Sequence, residues 1–286
     1  MTQYLTTKEV ADLLRIKERK VYDLTAKGEI PCVRATGKLL FPEAEIRQWM
    51  ARQSDFGTFR PLVVVGSHDP LLDWALRESE SGIANLTDGS LDGLERFANG
   101  EGMMAGLHLY DAELGEWNRP WLVDGFAEEP VVLMRFVTRV RGLIIGPAHA
   151  NQVRTLADLP GLRVATRQLQ SGTQSLFNAL CDQQGLDPET MLMTPVFRSE
   201  TDAALAVLDG TCDVAFGLQA LAHRYSLSFV DIVQEEFDLL VDRKAWFDAP
   251  FQRFLGFCQG PDFRQQAASF AGYQITDLGL IRFNGS

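Results

Sequence analysis

Cysteine is scarce in this chain and shows no pairing pattern: Cys32, Cys181, Cys212 and Cys258 are scattered, without a C-x-x-C or a nearby pair of histidines. That spacing supports neither a disulfide framework nor a zinc site, and it predicts free thiols in a reducing compartment. Long apolar runs are missing too. The densest stretches, Leu62 to Val65 and Leu143 to Ile145, fall far short of the roughly 20 residues that a membrane helix needs. The opening residues, MTQYLTTKEV, lack the basic and apolar regions of a secretory signal. A cytoplasmic protein without membrane contact is expected. No G-x-x-x-x-G-K-[ST] occurs, which argues against an ATPase, and no histidines stand at H-x-x-x-H or H-E-x-x-H spacing. His68 neighbours Ser67 and Asp69, but catalytic triads assemble from positions distant in sequence, so a hydrolase is not expected.

Lysine is rare, and its distribution is uneven. It occurs six times, and five of these (Lys8, Lys17, Lys20, Lys27, Lys38) precede position 39. The net charge of −11 over 286 residues argues, taken whole, against a protein that coats nucleic acid. Split by position, it reads differently. Residues 1–55 hold ten basic against eight acidic side chains, and the remainder holds seventeen against thirty. The asymmetry suggests two modules with different partners.

The first module carries helix signals. Thr6 and Glu9 form a capping box ahead of Val10, Leu13 and Leu14, which recur at helical spacing up to Ile16. A second run from Lys17 to Ala26 places Val21 and Leu24 on one face and ends at Gly28. Val33 to Phe41 reads as two short strands around a turn containing Gly37, and Pro42 at the first helical position opens a third helix. Helix, turn, helix, β-wing and helix make a winged helix-turn-helix. The strings Tyr4-Leu5-Thr6-Thr7-Lys8-Glu9-Val10-Ala11-Asp12-Leu13-Leu14, Lys20-Val21-Tyr22 and Gly28-Glu29-Ile30-Pro31 resemble the excisionase/MerR-type DNA-binding domain over about residues 3–52. The resemblance implies double-stranded DNA as partner, with the second helix in the major groove and the wing on the backbone or minor groove. It nominates Lys17, Arg19, Lys20, Tyr22, Arg34 and Lys38 as DNA-contacting residues.

Residues 54–61, with Gly57, Pro61 and Ser54, break periodicity. The expected organisation is a DNA-binding domain at 1–55, a linker at 56–61 and a second domain at 62–286. That linker is too short for a long dimerising coiled coil.

The second domain alternates strand and helix patterns, which means an α/β domain with parallel sheets. Leu62-Val63-Val64-Val65 reads as a buried parallel strand. Gly66-Ser67, Gly89-Ser90 and Ser171-Gly172-Thr173 each put a hydroxyl residue beside a glycine where a strand gives way to a helix. Helix N-termini offer unpaired N–H groups and the positive end of the macrodipole, so several converging on a cleft can hold an anion. A serine at such a place is also the ordinary structural cap. Thr201-Asp202 is read as the cap of another helix, running through Leu208.

These loops, with Ala105-Gly106-Leu107-His108, Arg141-Gly142-Leu143, Arg167-Gln168 and Glu236 to Val241, resemble the periplasmic-binding-protein-like domain that is found fused to helix-turn-helix domains. The resemblance covers about residues 62–260. It implies a two-lobed type 2 periplasmic-binding-protein-like fold, crossed by two strand connections and closing on a ligand. It suggests an oxyanion such as molybdate or tungstate as that ligand. The ligand-binding candidates are Ser67, His68, Ser90, Arg141, Arg167, Ser171, Thr173 and Thr201. Where the family loop reads Gly-Ser-Gly-Thr-Arg, this chain has Gln170 and Gln174. Thr201-Asp202 stands where Thr-His is usual, and Phe237 where Tyr is usual. Those exchanges make the cleft less cationic and keep a neutral, zwitterionic or partly organic ligand open. The expected whole is a one-component transcription regulator, not an enzyme, acting as a homodimer or homotetramer without a resident cofactor or metal. A cofactor-handling enzyme on the same fold is the alternative, and an architectural DNA binder is a third reading.

Overall fold

A computed structural model divides the chain into two compact units, Met1–Phe59 and Arg60–Ser286. The structure describes residues 4–35, 37–53 and 60–286. Most of the expected linker, residues 56–59, lies outside the described residues, as does Thr36 in the expected wing turn.

The first unit runs β1 (Tyr4–Thr6), α1 (Thr7–Leu14), α2 (Glu18–Ala26), β2 (Val33–Ala35), β3 (Lys38–Pro42) and α3 (Glu43–Gln53). The capping box forms: Thr6 Oγ1 accepts from the Glu9 N–H, and Glu9 Oε2 accepts from the Thr6 N–H at 2.7 Å. That backbone hydrogen bond, with one from the Thr6 hydroxyl, holds the Glu9 carboxyl below its usual range. Arg15 ends α1 in the left-handed conformation, so the chain turns before Ile16 and α2 starts afresh behind Lys17. Val10, Ala11, Val21, Ile30, Phe41 and Ile46 bury together and fix the angle between the helices. Two details depart from the sequence reading. β1 pairs antiparallel with β3, making the wing sheet three-stranded, because a capping residue with extended backbone can also serve as a strand end. Pro42 closes β3, and α3 begins one residue later.

The second unit contains β4 (Val63–Gly66), α4 (Pro70–Glu78), β5 (Ala84–Asn85), α5 (Ser90–Ala98), β6 (Met104–Leu107), β7 (Tyr110–Asp111), β8 (Glu116–Trp117), α6 (Pro120–Phe126) and β9 (Val131–Ile145). It continues with β10 (Arg163–Arg167), α7 (Gly172–Gln183), β11 (Leu192–Phe197), α8 (Glu200–Leu208), β12 (Val214–Leu218), α9 (Gln219–Arg224) and β13 (Ser228–Asp242). Helices α10 (Arg243–Trp246), α11 (Ala249–Cys258) and α12 (Pro261–Ser269), then β14 (Tyr273–Gln274) and β15 (Ile281–Asn284), complete it.

Its sheet is ordered β11-β10-β12-β9-β13-β6-β4-β5. Parallel strands β4, β5 and β6 build one lobe, and parallel strands β10, β11 and β12 build the other. The 15-residue strands β9 and β13 pair antiparallel from end to end and belong to both lobes. They are the two crossings. Separate apolar clusters fill each lobe: Phe136, Phe237, Phe251, Phe254 and Phe263 anchor one, and Leu143, Leu176, Phe177 and Phe216 the other. Arg60, which the sequence reading assigns to the linker, is bound into this unit. It pairs with Asp242 at 3.2 Å, donates to the Gly102 carbonyl oxygen and lies over the Phe97 ring.

Two helix starts differ from the sequence reading. Asp69, not Ser67, caps α4, because Pro70 at N1 fixes where that helix begins. Ser199, not the Thr201-Asp202 pair, caps α8. Gly89 is the N-cap of α5 and Ser171 that of α7. Gly93 lets α5 lie against β4, since a Cβ there falls 1.9 Å from the Gly66 Cα. Among the described residues, no helix is long and apolar enough to cross a membrane, and the four cysteines are free.

Candidate functional site

In the first unit, α2 buries Val21 and leaves Lys17, Arg19, Lys20 and Tyr22 exposed along its outer side. Arg34 on β2 and Lys38 on β3 are exposed on the wing, on either side of Gly37, whose φ of +78° suits a tight turn. The residues nominated for DNA contact are therefore all available to a partner, on the second helix and on the wing.

In the second unit, a cavity of about 290 Å³ opens between the lobes. One lobe contributes Ser67, His68, Thr87, Asp88, Gly89 and His108. The other contributes Arg167, Ser171, Thr173, Arg198, Ser199, Glu200 and Thr201. Six of the eight ligand-binding candidates thus share one cavity. Ser90 stands behind it, with its hydroxyl 2.7 Å from that of Ser67 while accepting the His108 N–H. Arg141 also stands behind, fully buried, donating to both carboxylate oxygens of Glu200 at 2.9 and 3.1 Å. It shapes the wall and does not line it.

Two of the places where the lobes meet flank the cavity. Gln168 Nε2 donates to the Asp88 carbonyl oxygen at 3.1 Å. Gly172 lies so close to His108 that a Cβ there falls 2.8 Å from its ring. Glycine is therefore required at the start of α7 for the lobes to approach this far.

Arg167, 7% exposed, forms part of the wall. Its Nη2 donates to the Arg198 carbonyl oxygen at 3.0 Å. Its Nε and Nη1 are buried without a hydrogen-bond partner among the described residues. Burial pushes its pKa down, but a guanidinium keeps its charge at neutral pH. A buried cation with unsatisfied donors is costly unless something negative completes it.

Glu200 faces the same space. Burial opposes its ionisation, but Arg141, Arg167 and the Thr173 hydroxyl overcome this and hold its pKa at about 2. Thr173 Oγ1 donates to it at 2.6 Å.

Beneath the cavity runs a buried ion ladder that the sequence reading does not contain. Arg139 donates to Asp69 at 2.7 Å and to Glu235, and Arg141 joins Glu235 to Glu200. Asp69 also accepts from the Leu72 N–H and from the Tyr273 hydroxyl. Burial opposes ionisation of Glu235 as well, yet Arg139 and Arg141 hold it well below the carboxylate range. Burial pushes His108 down, so its ring is neutral, and Nδ1 donates to Glu235 at 3.0 Å because a carboxylate can only accept. The signal for this ladder lay in β9, where Arg139 and Arg141 stand two residues apart and so share one strand face, while a register shift between Phe237 and Asp238 on β13 turns Arg135 to Asp238 instead. Phe237 is wholly buried below the cavity, stacked on His108 and covered by Arg139. Among the described residues, no group of three or more His, Cys, Asp and Glu side chains is placed to hold a metal ion.

Residues 74–259, more than half of the chain, match the PBP superfamily domain, and residues 4–54 match a helix-turn-helix domain. The chain therefore belongs to the PBP superfamily and carries a helix-turn-helix domain at its N-terminus. YvgK, an uncharacterized protein of Bacillus subtilis, is 27% identical, with 98% of each chain covered. Among solved structures, a hydrogen-peroxide-bound mutant of OxyR from Corynebacterium glutamicum matches with a TM-score of 0.53 at 13% identity, over 93% of this chain and 90% of that one. The CcmR regulatory domain of Synechocystis in complex with 2-PG gives 0.51 at 15% identity, over 68% and 92%. These likenesses are of fold.

Proposed function

We propose that this protein is a one-component transcription regulator that binds duplex DNA through its helix-turn-helix unit and a small anion between the lobes of its second unit. The observation that carries the reading is Arg167, a buried guanidinium with two unsatisfied nitrogens in the wall of an interlobe cavity. The N-termini of α5, α7 and α8 add backbone N–H groups around the same space. Lys17, Arg19, Lys20 and Tyr22 on α2, with Arg34 and Lys38 on the wing, are the proposed DNA contacts.

The anion is an oxyanion or a small carboxylate. Molybdate and tungstate fall in that class by the sequence resemblance, and the carboxylates of Asp88 and Glu200 in the walls favour a small organic acid as second reading. Binding stabilises one arrangement of the lobes, and DNA affinity shifts by the ligand's differential affinity for the two arrangements. The regulator works in the cytoplasm, as a homodimer or homotetramer that places two DNA-binding heads on one operator. This architecture fits a regulator better than an enzyme. Thermal denaturation of the full chain against molybdate, tungstate, sulfate, phosphate and small organic acids tests the anion site. A saturable rise in Tm with at least one of them, lost in Arg167→Met, supports it. No rise with any of them overturns it.

A further inference from the structure

The cleft has two chemically opposite sides. On the donor side stand the Nε and Nη1 of Arg167, without partners among the described residues. Ser171 and Ser199 join them. Each uses its oxygen to accept a helix N–H, from Gln174 at 3.1 Å and from Asp202 at 2.9 Å, so each hydroxyl proton remains free to give.

The acceptor side is Glu200 with Thr173. The Thr173 proton is committed to Glu200 Oε1 at 2.6 Å, so Thr173 turns only lone pairs toward the cavity. Glu200 is ionised and can only accept. Its two oxygens offer about four acceptor positions, and Arg141 and Thr173 fill three of them. At least one remains. An anion that brings no proton meets a carboxylate here and is repelled. An anion that carries an O–H or N–H gives it a charge-assisted hydrogen bond.

We infer that the regulator's ligand joins a negatively charged group to a hydrogen-bond donor of its own, with the negative end at Arg167, Ser171 and Ser199 and the donor at Glu200. Hydrogen phosphate, an α-hydroxy acid and an α-amino acid share this chemistry. Sulfate, molybdate and tungstate, which carry no proton at neutral pH, do not. Glu200 is then the residue that sets specificity. The inference rests on the reading of the cleft as an anion site.

The test is calorimetric titration of the full chain at pH 7.5 and fixed ionic strength with phosphate, glycolate and glycine in one set, and sulfate, molybdate and tungstate in the other. The inference expects at least one member of the first set to bind about tenfold or more tightly than every member of the second, as a charge-assisted hydrogen bond against a repulsion implies. Which member binds separates the three sources. Glu200→Gln, whose amide can donate, should cut that preference by about tenfold. Equal or tighter binding of sulfate, molybdate or tungstate by the native protein overturns the inference and leaves the anion site standing. Absence of binding by all six overturns the anion site itself and the inference with it. If Glu200→Gln does not fold, the native titrations decide alone. A folded variant with unchanged preference also overturns the role of Glu200.

Discussion

Gln168 reaches across the cleft and donates its Nε2–H to the main-chain oxygen of Asp88 at 3.1 Å, joining the lobes beside the cavity that Asp88 lines. Opening of the lobes breaks this contact. One hydrogen bond contributes about 0.5–1.5 kcal/mol net. Gln168→Ala is therefore expected to weaken anion binding by several-fold, chiefly through faster dissociation. Stopped-flow release from the full chain checks this, and an unchanged release rate contradicts it.

Arg19→Ala and Lys20→Ala remove exposed charges from α2. Each lost phosphate contact lowers the slope of log affinity against log salt by about 0.9. Both variants should bind duplex DNA several-fold more weakly at low salt, with a shallower salt dependence. Fluorescence anisotropy across a salt series measures both. Unaltered affinity and slope in both variants sink the assignment of α2 to the duplex.

Arg139 neutralises Asp69 and Glu235 in the interior. Arg139→Met leaves both carboxylates buried with less compensation, and breaking such a pair costs about 3–5 kcal/mol. Urea denaturation followed on the second unit's tryptophans should show a loss of that order. A loss below about 1 kcal/mol would mean that water already reaches the ladder.

Acid should act on the same network. Glu200, at about 2, and Glu235, well below its usual range, are depressed relative to an unperturbed value of 4.5. A depressed carboxyl stabilises the fold fully above its unfolded pKa, and that stability is lost as pH falls through the folded one. Stability should therefore drop between about pH 5 and pH 2. Asp238, pushed upward by burial despite Arg135 and Asn118, works in the opposite sense and softens the slope. Denaturation midpoints for Glu200→Gln should depend less on pH than those of the native chain. Parallel profiles contradict the ionised Glu200 pair.

The sequence made much of the fold legible because its local signals were strong. The Thr6/Glu9 capping box, the burial of Val21 on α2 and the apolar run opening β4 all form as their patterns demand. Helix starts were less legible where two capping residues competed. Asp69 outcompetes Ser67 because Pro70 follows it, and Ser199 precedes Thr201 by half a turn. In the cleft, hydroxyls beside glycines pointed to Ser67, Ser171 and Thr173 and the family resemblance to His68, Arg167 and Thr201, all six in the wall, whereas Ser90 and Arg141 stand behind it. A lone arginine does not reveal that two carboxylates from β13 and α8 will converge on it. The same limit hid Glu200, whose place in the wall depends on pairing across β9, β12 and β13.

Regulation of the proposed kind requires that an anion in the cleft change how the first unit holds DNA. The direct measurement is DNA affinity of the full chain, by anisotropy on a duplex selected from random sequence, with and without saturating anion at matched ionic strength. A saturable change of about fivefold or more, within the usual range of allosteric coupling, is expected, and it should vanish in Arg167→Met while affinity without anion is preserved. The same DNA affinity with and without a bound anion, or an undiminished response in Arg167→Met, contradicts it.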